Sequence, residues 1–198
     1  MKSTLNKLGV AIALATGMAS AQAAYIESGD ASNVLASAQL ATDMTIQGTI
    51  GQGDGGDVFK LVFGSAGTLT IQATSSQIDT NIGLFDASFN ALAGDDDSGG
   101  GQNSLLSYAI GAGTYYIGIG DYAMYAFDAG NQGWFLDGLP PATLGAVSYI
   151  DNQIGITPGA YTLSLALQPL NNSVPEPATV GLLGLGLLGM GMLRRKAA

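Results

Sequence analysis

Three consecutive carboxylates, Asp95, Asp96 and Asp97, stand in a run of small residues that continues as Ser98-Gly99-Gly100. Calcium takes about six to eight oxygen ligands, and carboxylates on a flexible glycine-rich turn supply them. Adjacent carboxylates repel each other, and a bound divalent cation relieves that repulsion. Asp57 and Asp79, together with Asp54, lie in other turn-like stretches and become further ligands if the turns meet in space. Asp95, Asp96, Asp97, Asp57 and Asp79 are therefore the candidate calcium set. The competing reading is a solvated acidic turn.

Other chemistries lack their parts. The chain contains no Cys and no His, which removes disulfides, thiol catalysis, His-based triads and the usual zinc sites. Paired carboxylates can hydrolyse glycosides, but no spacing here singles out an acid and a nucleophile. Asp95 does not open an EF-hand, because Leu106 stands where that loop needs its last acid. The run Gly51-Gln52-Gly53-Asp54-Gly55-Gly56-Asp57 is a glycine-aspartate repeat that occurs once, so it reads as a hairpin loop. The expectation is a protein that is not an enzyme.

Charge is distributed unevenly over the 198 residues. All fifteen acids lie between Glu27 and Glu176, and Lys60 is the single base among them. Such a surface repels nucleic acid and anionic headgroups. The remaining bases, Lys2, Lys7, Arg194, Arg195 and Lys196, sit in two terminal segments. At the N-terminus, Lys2 and Lys7 precede an uncharged apolar run from Leu8 to Met18, and Ala21-Gln22-Ala23 supplies small residues for signal peptidase. Residues 1–23 therefore read as a signal peptide cut after Ala23, with Ala19-Ser20-Ala21 as a second site.

At the C-terminus, Val174-Pro175-Glu176-Pro177 precedes an apolar run from Ala178 to Leu193, and Arg194-Arg195-Lys196 follows directly. The run is slightly shorter than the ~20 residues of an ordinary membrane span. Its basic end should stay cytoplasmic, with the rest of the chain outside. This order of parts resembles the PEP-CTERM sorting signal of exopolysaccharide-producing Gram-negative bacteria, over residues 174–198. The resemblance implies recognition by an exosortase near the Pro-Glu-Pro element, an inner-membrane stage, and delivery to the cell surface or matrix. Two prolines keep that element extended, as a protease requires.

The middle of the chain has the period of strands. Phe59, Leu61 and Phe63 alternate with other residues, as do Leu69 and Ile71, Ile82 and Leu84, Tyr115, Ile117 and Ile119, and Tyr161, Leu163 and Leu165. Thirty glycines suit short strands and many turns. The expected fold is all-β, a single jelly-roll-like β-sandwich, with a signal helix before it and a transmembrane helix after it. Tyr115, Tyr116 and Tyr161 should pack along the sheet with hydroxyls at its rim. Residues 24–43 read as a leader, with Ala31 to Ala41 either a short helix or loose chain. Residues 44–168 form the sandwich, and 169–177 link it to the sorting tail. Residues 121–157 read as an irregular insertion, with a helix near Ala142 to Ile150 left open.

Asp57-Val58-Phe59, Ala66-Gly67-Thr68, Asp79-Thr80, Ile82-Gly83-Leu84-Phe85-Asp86, Asp95 through Gly100, Asn103-Ser104 and Ala112-Gly113-Thr114-Tyr115-Tyr116 follow one another in an order that resembles bacterial pre-peptidase C-terminal (PPC) domains. The resemblance spans about residues 44–167 and implies a small non-catalytic sandwich, some of whose relatives bind calcium or matrix polymers. The resulting expectation is an exported structural or adhesive protein of the surface or exopolysaccharide matrix. One alternative is a calcium-dependent module that binds carbohydrate or ice through exposed aromatics such as Trp134 and Phe135. A carboxylate-based hydrolase is the other.

Overall fold

The computed structural model describes residues 23–170. The apolar part of the signal segment with Ala21, the Pro-Glu-Pro element and the terminal basic cluster lie outside them. Among the described residues no helix is long and apolar enough to cross a membrane.

Thirteen strands follow in order: β1 (Tyr25–Ile26), β2 (Gln39–Leu40), β3 (Thr45–Ile50), β4 (Asp57–Phe63), β5 (Gly67–Thr74), β6 (Asn81–Phe85), β7 (Ala91–Asp95), β8 (Leu105–Ile110), β9 (Gly113–Gly120), β10 (Met124–Asp128), β11 (Gly133–Phe135), β12 (Val147–Asn152) and β13 (Gly159–Pro169). One turn of 3-10 helix, Leu35–Ser37, separates β1 from β2. The first sheet has the order β1-β3-β13-β5-β8 and the second β2-β4-β9-β6-β7. From β3 to β9 each connection crosses between these sheets, except the β6–β7 hairpin.

Alternation explains the core between them. Leu69, Ile71 and Ala73 of β5 and Leu163 and Leu165 of β13 face Phe59, Leu61, Ile82, Leu84, Ile117 and Ile119 of the second sheet. The intervening residues of β5 are only half-buried, so the first sheet turns its other face to solvent.

The second sheet behaves differently, because both of its faces are covered. Residues 121–157 do not form an irregular insertion. They fold into a third antiparallel sheet, β11-β10-β12, and the segment that left a helix open carries β12. Met124, Ala126, Trp134 and Ile150 of this sheet, with Leu136 beyond it, bury against Val58, Phe85 and Tyr116 on the outer face of the second. The receiving surface is a row across four paired strands: Gly94, Gly83, Gly118 and Val58. A Cβ added at Gly94 would lie 2.8 Å from the Leu136 backbone, and one at Gly118 would lie 3.1 Å from Ile150 Cδ1. The glycines thus form a trough into which Leu136 and Ile150 drop.

The leader, too, belongs to the sandwich. β1 pairs in parallel with β3 at the edge of the first sheet, and β2 pairs in parallel with β4 at the edge of the second. Tyr25 Oη donates to Gln39 Oε1 at 2.9 Å and Gln39 Nε2 donates to the Ser28 carbonyl at 3.0 Å, tying the two short strands together. Leu35, in the turn between them, is fully buried against the third sheet.

Filling the trough should lift the third layer. Gly94→Val is expected to lose about 1–3 kcal/mol of stability by overpacking, read by urea denaturation. Trp134 is the only tryptophan, so its emission should shift to the red in the folded variant. Unchanged emission and stability would contradict the three-layer packing.

Candidate functional site

The five carboxylates expected as one set are divided between two places. Asp57, the first residue of β4, meets Glu27, which follows β1, and Asp30 in the loop beyond; oxygens of all three lie within 4.8 Å of one another. Asp54, in the β3–β4 turn, stands beside them and interacts with Asp30. Glu27 and Asp30 carried no motif, since both lie in the stretch read as leader. Asp79, just before β6, meets Asp96 and Asp97, just after β7, again with oxygens within 4.8 Å. Asp95 belongs to neither group. As the last residue of β7 it turns to the opposite side from Asp96, where its Oδ2 accepts from Leu105 N at 2.7 Å and Ser98 N at 3.2 Å. Its work is to close the turn into β8.

The first cluster is held rigidly from several sides. Glu27 Oε1 accepts from Ala31 N at 2.6 Å, and Glu27 Oε2 accepts from Thr49 N at 2.8 Å. Asp54 Oδ1 accepts from Gly56 N at 3.0 Å. Tyr161 Oη donates to Asp57 Oδ2 at 2.6 Å, so this hydroxyl lies in the interior and not at the rim. The opposite strand makes room for it: Gly48 is the register partner of Tyr161, and a methyl there would strike both the Tyr161 ring and the Glu27 carboxylate. Asp57 is 0% exposed, yet its Oδ1 is buried with no hydrogen-bond partner among the described residues.

Electrostatics make this arrangement expensive as it stands. Burial, with help from Glu27, Asp54 and Asp30 and against the Tyr161 hydrogen bond, pushes the Asp57 carboxyl up to about 8. Burial also raises Asp54. Burial and the Asp57 charge hold the Tyr161 phenol protonated. Two carboxylates 4.8 Å apart repel by roughly 3 kcal/mol at an effective dielectric near 20. Among residues 23–170 only Lys60 is basic, so side chains cannot supply the compensation. Protons or a hard divalent cation must do so. The all-oxygen donor set, with an orphaned buried oxygen on Asp57, fits calcium and does not suit metals that prefer nitrogen or sulfur.

The second cluster includes a residue absent from the expected set. Asn81, the first residue of β6, is 0% exposed and donates from Nδ2 to Asp96 Oδ1 at 3.3 Å. Asp79 Oδ2 accepts from Gln102 Nε2 at 3.0 Å. Burial and the neighbouring Asp97, Asp79 and Asp137 charges push Asp96 up to about 6.

A third feature lies on the outer face of the third sheet. Trp134 is 8% exposed and points inward, so it is not available to a ligand. Its neighbour Phe135 points outward with Tyr125, Phe127 and Tyr149, following strand alternation. The Phe127 and Tyr149 rings stack 5.0 Å apart at 13°, and Tyr125 stacks on Phe127 at 6.1 Å. Phe135 adjoins Tyr125 at 5.4 Å, and Tyr122, 50% exposed, adjoins Phe135 at 6.4 Å. A groove of about 320 Å³ runs beside them, lined by Tyr122, Ala123, Tyr125, Phe135, Gln153 and Ile154.

Residues 173–196 match the family model described as the PEP-CTERM protein-sorting motif, and the chain carries that motif. No curated protein matches the chain. Among solved structures, the chain is similar to the pre-peptidase C-terminal domain of a collagenase from Bacillus anthracis, at 19% identity and a TM-score of 0.41, over 73% of this chain and 96% of that one. It is also similar to PliG of Aeromonas hydrophila, a periplasmic inhibitor of g-type lysozyme, at 14% identity and a TM-score of 0.34, over 73% of this chain and 100% of that one.

Asp57 gives the metal-free protein a pH dependence of defined sign. Its folded carboxyl titrates near 8, well above its ordinary value. The neutral form therefore stabilises the fold at low pH, and that contribution is lost as pH rises through about 8. In chelator, the melting temperature should fall between pH 5 and pH 9, and Asp57→Asn should flatten most of that slope. An equal slope in wild type and variant would contradict the assignment.

Proposed function

We propose that this protein is a non-catalytic module of the cell surface or exopolysaccharide matrix, exported, processed by an exosortase through its C-terminal tail, and stiffened outside the cell by calcium at Glu27, Asp30, Asp54 and Asp57. The sorting motif at residues 173–196 carries the reading. It implies export and a membrane-anchored stage, with signal peptidase acting at the N-terminal segment and the exosortase near Pro175-Glu176-Pro177.

The calcium part rests on the first cluster. Its acids come from the loop after β1, the β3–β4 turn and the start of β4, so one cation would fasten the first segment of the mature chain to the body of the sandwich. Extracellular calcium is commonly near millimolar, which suits modest-affinity sites of this type. The metal would be structural. The surrounding carboxylates are tied to backbone amides and a tyrosine, which suits a clamp better than a site of turnover.

The aromatic face supports a second reading, a carbohydrate-binding (or ice-binding) role. Rings stacked 5.0–6.1 Å apart on a sheet face offer apolar surfaces for sugar rings, and Asp151 and Tyr149 on β12 place polar groups on the same face. Such a face would retain the module in a polysaccharide layer without altering the sorting reading.

Two experiments test these points. Replacing Pro175-Glu176-Pro177 by three alanines should leave the protein in the inner membrane with its C-terminal tail uncut and absent from the surface fraction; normal surface delivery of that variant would contradict the sorting role. Phe127→Ala combined with Tyr149→Ala should weaken retention on the producer's exopolysaccharide by about tenfold or more. Undiminished retention would remove the carbohydrate reading.

A further inference from the structure

We propose a second divalent-cation site, built by Asp79, Asn81, Asp96 and Asp97, that takes calcium independently of the N-terminal cluster. Three carboxylate oxygens within 4.8 Å would not suffice for this, since acidic loops are often merely solvated. The argument turns on Asn81. Its side chain is 0% exposed and lies against the cluster through Nδ2 and Asp96 Oδ1, while its own Oδ1 is buried with no partner among the described residues. An orphaned buried amide oxygen is costly, and native structures rarely leave one without a partner. Turning the amide over does not remove the problem. It would bring Oδ1 against the Asp96 carboxylate, an approach that only a cation between them makes favourable.

A second orphan points the same way. Asp79 Oδ1 is also buried and unpartnered, although Asp79 Oδ2 is satisfied by Gln102. Two side chains of this corner therefore each hold one bare buried oxygen: Asp79, whose carboxylate meets those of Asp96 and Asp97, and Asn81, whose amide touches Asp96. Together with Asp96 and Asp97 they provide four protein oxygens, and bidentate carboxylates and waters would complete a calcium shell of about six to eight.

The position in the fold gives such an ion a task. Asn81 opens β6, and Asp96 and Asp97 follow β7, so a cation would lock the open end of the β6–β7 hairpin. Gly94 and Gly138 exchange backbone hydrogen bonds at 2.9 Å beside it, which joins this hairpin to the loop that follows β11. Neutralising Asp96 would also relieve its repulsion by Asp137 on that layer. The second site would thus hold the third layer down, whereas the first holds the leader.

Calcium binding to the full-length protein, counted by equilibrium dialysis, provides the test. Wild type should bind at least one more equivalent than Asp96→Asn/Asp97→Asn, while Asp30→Asn/Asp54→Asn should lose a different equivalent. Asp97 is exposed, so Asp97→Asn alone should fold normally and still weaken that equivalent about tenfold. Asn81→Asp supplies a signature that a purely structural role would not produce. It should melt below wild type in chelator, through added repulsion, and at or above wild type in calcium. Equal stoichiometry in wild type and the Asp96/Asp97 variants, or the same loss of stability for Asn81→Asp in both media, would overturn the proposal without touching the first site.

Discussion

Uncompensated negative charge is the constraint around which this molecule is organised. Fifteen acids share the exported part of the chain with one lysine, and the fold concentrates several of them instead of dispersing them. Asp57, Ile119, Ile82 and Asp95 form one row across the second sheet, and Asn81 and Gly120 lie next to it. Both carboxylate clusters and the buried Asp121 therefore gather at a single end of that sheet. Backbone amides and a tyrosine satisfy part of this charge. Asp121 accepts from Asp79 N at 3.1 Å and Thr157 N at 2.6 Å, and needs nothing more. The bare oxygens of Asp57, Asp79 and Asn81 are what remain, and they are where a cation would complete the structure.

The three-layer packing follows from where bulk is withheld. The second sheet has large residues on its inner face and a glycine row on its outer face, so a short sheet can settle into it. The first sheet has no such row and faces water. The leader then closes both sheets at their edges, and its Glu27 and Asp30 reach the acidic end. The stretch from Tyr25 to Asp30 is in this way part of both the sandwich and the first cluster. An edge strand of two residues has little hold of its own, which is why a cation bridging Glu27 and Asp57 would matter there.

Much of this could be read from residue order, and the exceptions have physical reasons. Period-two alternation located the core strands, because a half-buried strand writes its burial into every second residue. It could not reveal the third layer. In Ile117-Gly118-Ile119 the alternation marks the isoleucines as core, but Gly118 forms part of the trough, and glycine carries no side chain to mark which kind of face it lies on. Trp134 seemed available as an exposed aromatic in an irregular stretch; once β11 is recognised, alternation alone assigns it inward and Phe135 outward. The aspartate run announced an acidic loop, but strand register separates Asp95 from Asp96. Asn81 was invisible, since a single asparagine at the start of a strand has no pattern. Glu27 and Asp30 join Asp57 across long sequence separations that only the closed fold reveals.

The central claim is that the acidic end of the sandwich is assembled around calcium. Calorimetric melting of the purified protein at constant ionic strength, in millimolar calcium and in excess chelator, tests it most directly. With calcium about a hundredfold above its dissociation constant, linkage adds roughly 3 kcal/mol. For a chain of this size that is a rise of about 5–10 °C in the midpoint. Superimposable melts in the two media would contradict the account.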